Sequence, residues 1–209
     1  ACGNMGDLTL GECIHNEIET QGLLERNVAL GNTLIDMYGK CGFIMKSKIV
    51  FDNLIQRDVV SWTALMTGYA HLGISQSVFD SFERMLGLGI KPDQVTFIVL
   101  LNACSRVGMF NKSERYFEMM SKDYGISPAI EHQSCLIDVL CRSGQLEKAI
   151  IMVKKMPSSP DLVVWHSILG ACQKCGNVKF GEKAFEEAMQ LDDNDSAAYA
   201  MMSQIYGGR

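Results

Sequence analysis

A basic residue, one spacer and a glycine recur along this chain: Lys40-Cys41-Gly42, His71-Leu72-Gly73, Arg106-Val107-Gly108, Arg142-Ser143-Gly144 and Lys174-Cys175-Gly176. Basic side chains at a regular interval have the chemistry of a ladder for an extended anion, one charge meeting each rung. A second set of residues points elsewhere. Zinc-dependent nucleotide deaminases pair a His-x-Glu with a Pro-Cys-x-x-Cys, and His15-Asn16-Glu17 and Cys172-Gln173-Lys174-Cys175 are both present. The match breaks down in detail. Ala171 stands where proline belongs, the halves are 157 residues apart, and both cysteines fall at sites that recur with the glycines. No Gly-rich phosphate loop, nucleophile elbow or acidic cluster for two metals accompanies them. The histidines are scattered and read as surface or boundary residues. The expectation is a binding protein without catalytic residues, metal or cofactor.

A net charge of −5 argues against bulk attraction for a polyanion, so only a local basic stripe could serve. With 47% hydrophobic residues in 209 the chain can bury a core, and no apolar run reaches the roughly 18 residues that mark a membrane span. The cysteines follow the glycines: Cys2, Cys104 and Cys172 lie four residues before theirs in Ala-Cys pairs, Cys41 and Cys175 one before. Such recurrence fits small apolar packing residues in a reducing compartment better than a disulfide framework.

The elements that must position these residues show the same rhythm. From Gly6 through Gly42, Gly73, Gly108, Gly144 and Gly176 the steps are 36, 31, 35, 36 and 32 residues, and Pro92, Pro128 and Pro160 are again 36 and 32 apart. Periods of this size mark stacked helical arrays, which bind long partners along one face. Trp62, Phe97 and Trp165 each precede the repeat glycine by eleven residues and open an apolar stripe: Trp62, Leu65, Met66, Tyr69; Phe97, Leu100, Leu101, Cys104; Trp165, Ile168, Leu169, Cys172. That i, i+3, i+4, i+7 spacing predicts an amphipathic helix. A second stripe follows each glycine, as in Val78, Phe82, Met85, Leu86 and in Phe110, Phe117, Met120. Each unit is therefore a helical hairpin turned at a left-handed glycine, with the methionines and aromatics as filler between helices. The predicted units are 28–58, 59–93, 94–129, 130–161 and 162–195, with 1–27 the remnant of an earlier unit and 196–209 the start of another. Ala1-Cys2-Gly3 reads as the tail of a helix, so the chain is expected to begin inside a repeat, any targeting segment lying outside it.

Val59-Val60-Ser61-Trp62-Thr63-Ala64-Leu65-Met66, closing on Gly89-Ile90-Lys91-Pro92-Asp93, resembles the 35-residue pentatricopeptide repeat. The mixed unit lengths resemble the plant PLS subclass found in organellar RNA-editing factors. So do Asn32-Thr33-Leu34-Ile35-Asp36-Met37-Tyr38-Gly39-Lys40-Cys41-Gly42 and Val50-Phe51-Asp52 before Arg57-Asp58. Tyr124-Gly125-Ile126 with Glu131-His132, and Val164-Trp165 with Leu169-Gly170-Ala171-Cys172, resemble the last repeats and the start of a C-terminal E-type extension. The fold this implies is all-α: a right-handed α-solenoid superhelix of stacked helix-turn-helix repeats, monomeric, with single-stranded RNA on its concave side.

In that family one base is read per repeat by two or three side chains, a property of the family and not a derivation from these residues. Carried over by position, the reading pairs are the fifth and last residues of each unit: Asn32 with Asp58, Thr63 with Asp93, Ile98 with Ala129, Ser134 with Asp161. The family's pairing implies uracil for the first, guanine for the second, a purine for the last, and little discrimination at Ile98/Ala129, which has no side-chain hydrogen-bonding group. Second positions, which grip the base plane, are Ala29, Val60 and Val95, with Glu131 departing from the pattern. Lys40, His71, Arg106, Arg142 and Lys174 lie eleven residues after the second positions, about 1100° of helix and so within about 20° of three full turns. Base-reading and phosphate-contacting columns thus share a stripe, although the same cations would also complement helix C-termini.

The resemblance implies that the array places a cytidine for C-to-U editing in a chloroplast or mitochondrion, with deamination supplied by a further domain or by an editing-complex protein recruited through the extension. The rival is a tetratricopeptide-like protein scaffold, since Trp62-x-x-Leu65-x-x-x-Tyr69 fits its first helix as well. That family keeps a fixed 34-residue period, which the alternating lengths do not.

Overall fold

The computed structural model describes residues 5–24, 27–156 and 159–207. The described residues form helices α1 (Met5–Thr20), α2 (Val28–Lys40), α3 (Ile44–Asn53), α4 (Val59–His71), α5 (Ser75–Gly87), α6 (Gln94–Val107), α7 (Phe110–Lys122), α8 (Ile130–Arg142), α9 (Leu146–Lys155), α10 (Leu162–Cys175), α11 (Val178–Leu191) and α12 (Ser196–Gly207). No helix among them is long and apolar enough to cross a membrane. The chain divides after Ala103 into two compact units. It is an all-α helical repeat, as the periodicity predicts.

Local chemistry sets the ends of each hairpin. Asn27, Asp58 and Asp161 cap α2, α4 and α10, their side chains accepting from Ala29, Ser61 and Val164 N–H, so donors that the first turn leaves unpaired are satisfied. The turn between paired helices is the left-handed glycine the sequence predicts: Gly42, Gly73, Gly108, Gly144 and Gly176 have φ between 67° and 82°. In each case the next N–H reaches back five residues, as from Phe43 to Tyr38 O (2.8 Å) and from Gln145 to Leu140 O (2.8 Å), closing the helix with a Schellman motif. Gly6 does not share this role; it lies in the first turn of α1. Ala1-Cys2-Gly3 falls outside the described residues.

In the first unit α2, α3 and α4 close on a core of Leu34, Ile35, Tyr38, Val50, Phe51, Trp62, Leu65 and Met85, with Phe51 and Trp62 edge to face at 4.7 Å between centroids. Helices α2 and α4 come so close that a Cβ on Gly39 would sit 3.0 Å from Gly68 Cα. In the second unit α8 to α12 pack around Ile137, Leu140, Trp165, Ile168, Leu169, Cys172, Ala184 and Met202. The aromatic column is buried as expected. The methionines divide, with Met66, Met85 and Met120 in the core but Met45, in the first turn of α3, and Met109, just before α7, exposed. The cysteines divide too. Burial pushes the Cys104 and Cys172 thiols up to about 12, as packing residues require, whereas Cys175 is exposed where α10 ends. The histidines are not uniformly peripheral: His132 is fully buried.

Candidate functional site

Asn32 is the fifth residue of α2, and Asp58 immediately precedes α4. The structure joins them: Asn32 Nδ2 donates to Asp58 Oδ1 at 3.1 Å. The same oxygen accepts from Ser61 N–H at 2.9 Å, and the one Ser61 hydroxyl proton has Asn32 Oδ1 at 2.6 Å and Asp58 Oδ1 at 3.0 Å as acceptors. Burial pushes the Asp58 carboxyl up, but hydrogen bonds from the Ser61 backbone, the Ser61 hydroxyl, Asn32 and Val60 N–H outweigh it and hold it below its ordinary value. The cap aspartate therefore stays ionised and fixes the buried Asn32 amide. One amide proton and one carbonyl lone pair are left for a partner that donates and accepts side by side.

Thr63 and Asp93 are linked less directly than their positions suggest. The one hydroxyl proton of Thr63 has Val59 O at 2.7 Å and Thr96 Oγ1 at 3.1 Å as acceptors. Thr96 in turn gives its hydroxyl proton and its backbone N–H to Asp93 Oδ1, both at 2.8 Å. A cap threonine thus stands between the two residues, because Thr96 is the third residue of α6 and its hydroxyl reaches the cap carboxylate first.

Ser134 Oγ is buried without a hydrogen-bond partner among the described residues, and Asp161 spends an oxygen on Val164 N–H at 3.0 Å. These two share a register but no bond. Ile98 is half-buried in the first unit, and Ala129 lies in the second. With no side-chain acceptor on Ala129, its N–H donates to His132 Nδ1 at 3.2 Å, so the buried imidazole closes this helix start.

The second positions Ala29, Val60 and Val95 are exposed, the valines at 52% each, and Glu131 is exposed as well. Val60 and Val95 thus hold the same place, second residue, on α4 and α6. Lys40, His71, Arg106, Arg142 and Lys174 are all exposed. Lys40 pairs with Asp36 at 2.6 Å and Arg142 with Asp138 at 2.8 Å, each one turn earlier on its own helix; the other three form no ion pair among the described residues. Exposed i, i+4 pairs are worth only about 0.3–0.5 kcal/mol, little hindrance to exchange for a stronger anion.

The sequence reading missed His166. It is the fifth residue of α10, Asp195 immediately precedes α12, and the two side chains are hydrogen-bonded through Nε2 and Oδ2. Asp195 Oδ1 meanwhile caps α12, accepting from Ala197 N–H at 3.0 Å and Ala198 N–H at 3.2 Å. The signal was the register itself, applied as far as Asp161 and not one unit further.

Models of the PPR repeat family, the PPR repeat and the pentatricopeptide repeat domain match residues 57–106, 32–59 with 134–160, and 82–142, respectively, together running from 32 to 160. The chain belongs to the pentatricopeptide repeat family. Arabidopsis thaliana pentatricopeptide repeat-containing protein At2g20540 is 40% identical over 99% of this chain, which covers 38% of that protein. The chloroplastic At3g49170 is 39% identical over 97%, with 24% of its own length covered. The chain thus spans between about a quarter and two-fifths of these relatives. Among solved structures, the maize pentatricopeptide repeat protein PPR10 in complex with an 18-nt psaJ RNA element aligns over 97% of this chain and 36% of its own, at a TM-score of 0.57 and 16% identity. The PPR domain of Arabidopsis thaliana protein-only RNase P 1 in complex with tRNA aligns over 86% of this chain and 98% of its own, at 0.67 and 17%. At such identities the likeness is one of fold. The helical hairpin sets the register of these positions, and the fifth residue of one first helix bonds directly to the cap residue of the next at Asn32/Asp58 and at His166/Asp195.

Proposed function

We propose that this pentatricopeptide array binds single-stranded RNA as a monomer, one nucleotide per hairpin, in units 28–58, 59–93, 94–129 and 130–161. The observation that carries this is the bond from the buried Asn32 amide to the Asp58 cap carboxylate, which leaves a fixed donor and acceptor beside exposed Ala29 and Val60. Asn32/Asp58 takes uracil, and Thr63/Asp93, bridged by Thr96, takes guanine. Ser134/Asp161 takes a purine, as the family's pairing for those two residue types implies, and Ile98/Ala129 discriminates little. Ala29, Val60 and Val95 lie against base planes. Lys40, His71, Arg106, Arg142 and Lys174 meet phosphates, which locates the affinity in a stripe despite the acidic net charge. At about 2 kcal/mol per well-read base, the uracil and guanine positions together supply about 4 kcal/mol, near a thousandfold.

The wider role is site placement for C-to-U editing in a plant organelle, within the PLS subclass and with residues 162–195 as the start of an E-type extension. The mixed repeat lengths and the Leu169-Gly170-Ala171-Cys172 motif support that reading, as do relatives named mitochondrial or chloroplastic. Deamination belongs to a further domain or to a recruited protein. Gel-shift titration tests the binding claim. RNA carrying a U-G step should bind more tightly than the same strand altered at that step; equal binding to both would refute base reading and favour a protein scaffold.

A further inference from the structure

We propose that the groove between α9, α10 and α11 is a docking site for another protein, which inserts one aromatic side chain flanked by acidic residues. None of the residues assigned above to RNA lines this groove, so the proposal is independent of the RNA reading.

The groove encloses about 230 Å³, walled by Val153 and Lys154 of α9, Trp165 and Ile168 of α10, and Phe180 and Lys183 of α11. In the first unit the chain's own side chains close the corresponding place. Phe51 meets Trp62 edge to face at 4.7 Å between centroids. The Arg57 guanidinium lies 5.0 Å from the Phe51 ring centroid and donates to Phe51 O and Asp52 O, and that of Arg84 lies 5.5 Å from the Trp62 centroid. Trp165 holds the register place of Trp62, four residues after the cap aspartate, but the residues around it differ. Val153 stands in the place of Phe51, Pro160 in that of Arg57 and Glu187 in that of Arg84. An isopropyl group replaces a phenyl ring, and the two guanidiniums give way to a side chain with no donor and to a carboxylate. The groove is the space these differences leave, and Pro160 and Glu187 both line it.

The occupant follows from size and charge. A cavity of about 150 Å³ accepts a benzene ring, whereas sites for small ligands run from roughly 300 Å³ upward, so this space suits one phenylalanine-sized anchor on a larger partner. Such a ring would meet Trp165 as Phe51 meets Trp62, an arrangement that aromatic pairs prefer. Lys154 and Lys183 are exposed on the α9 and α11 walls, and neither forms an ion pair among the described residues. In a chain of net charge −5 these two cations outnumber Glu187 and make the rim locally basic, which favours carboxylates beside the anchor. The apolar walls offer nothing to phosphates, which carry most nucleic-acid contacts, so a peptide suits the groove better than an RNA strand.

The test selects a phage-displayed library of random short peptides on the 209-residue chain and measures the enriched sequences, as labelled synthetic peptides, by fluorescence anisotropy. Enriched peptides should carry an aromatic residue next to aspartate or glutamate. Replacing that aromatic by alanine should weaken binding about tenfold or more, the size expected for one buried ring. Val153→Phe, which copies the closure seen in the first unit, should weaken it as much, with the fold checked by circular dichroism. Lys154→Glu combined with Lys183→Glu changes only exposed positions, so this variant decides the matter if Val153→Phe does not fold; it should weaken binding and remove most of its salt dependence. Binding of U-G RNA should be unchanged in both variants. No enrichment, enriched peptides without this chemistry, or equal binding by wild type and variants overturns the proposal. Competition by single-stranded RNA would assign the groove to RNA, and self-association that Val153→Phe abolishes would assign it to a second copy of the chain; either result overturns the proposal too.

Discussion

Asp58 performs two tasks with one oxygen, and they can be separated by substitution. Asp58→Ala removes the acceptor for Ser61 N–H, a helix cap worth about 1 kcal/mol. It also strands the Asn32 amide, whose partner lies at 3.1 Å. A buried donor left unpaired costs about 1–3 kcal/mol, and the lower end applies because the carboxylate side of this pair is exposed to solvent. The total is about 2 kcal/mol, which should appear as a lower urea midpoint by circular dichroism at unchanged slope. Asp58→Asn keeps an oxygen at the same place, and asparagine caps helices as well as aspartate, so its cost is only the lost charge assistance, about 0.5 kcal/mol. The pH dependence separates them again. The folded carboxyl lies below its ordinary value of 3.8, so the charge contributes fully above that value and is lost as pH falls through the lower, folded one. The stability gap between wild type and Asp58→Asn should therefore be constant near neutrality and close below about pH 3.8. In RNA binding, Asp58→Ala should abolish the uracil preference by freeing the amide to rotate. Equal stability of the alanine and asparagine variants, or a uracil preference that survives Asp58→Ala, would refute the claim that Asp58 both caps α4 and aims Asn32.

Other outcomes follow from the same geometry. Thr63→Asn should turn that position from guanine toward uracil in a binding array, Thr96 keeping its bond to Asp93; an unchanged preference would count against the assigned register. Ser134→Ala deletes a buried hydroxyl without a partner among the described residues, so thermal stability should hold or rise by up to about 1 kcal/mol; a loss of stability would mean the hydroxyl is satisfied in the folded chain. A Cβ on Gly68 would meet Gly39 Cα at 3.1 Å and Ile44 Cδ1 at 2.9 Å, so Gly68→Ala should cost about 1–3 kcal/mol by forcing α2 and α4 apart. Gly170→Ala, with nothing within 4 Å, should instead stabilise α10 by up to about 1 kcal/mol through helix propensity. Paired denaturation curves decide between these signs.

The repeat was legible in the chain because its causes are local. A helix stripe needs only i, i+3, i+4 spacing, and a left-handed turn needs only a glycine. Both are written in consecutive residues, so the hairpins around Gly42, Gly73, Gly108, Gly144 and Gly176 could be placed without coordinates. The fifth and cap positions also follow from counting, once the register is known.

What counting cannot give is which polar atoms find each other, since that depends on distances between helices far apart in sequence. Asn32 reaches Asp58 because α2 and α4 meet at Gly39 and Gly68; Thr63 is intercepted by Thr96; the Ser134 hydroxyl finds no partner among the described residues. His166 looked like a scattered histidine until α12 brought Asp195 to it across 29 residues. Sequence by itself determined the helices, their ends and the row of positions along them, because backbone sterics and hydrophobic periodicity act within a turn or two. Only tertiary packing decided which of those positions are braced, bridged or open, because hydrogen bonds form only within about 3 Å, and the stacking of neighbouring hairpins sets that spacing.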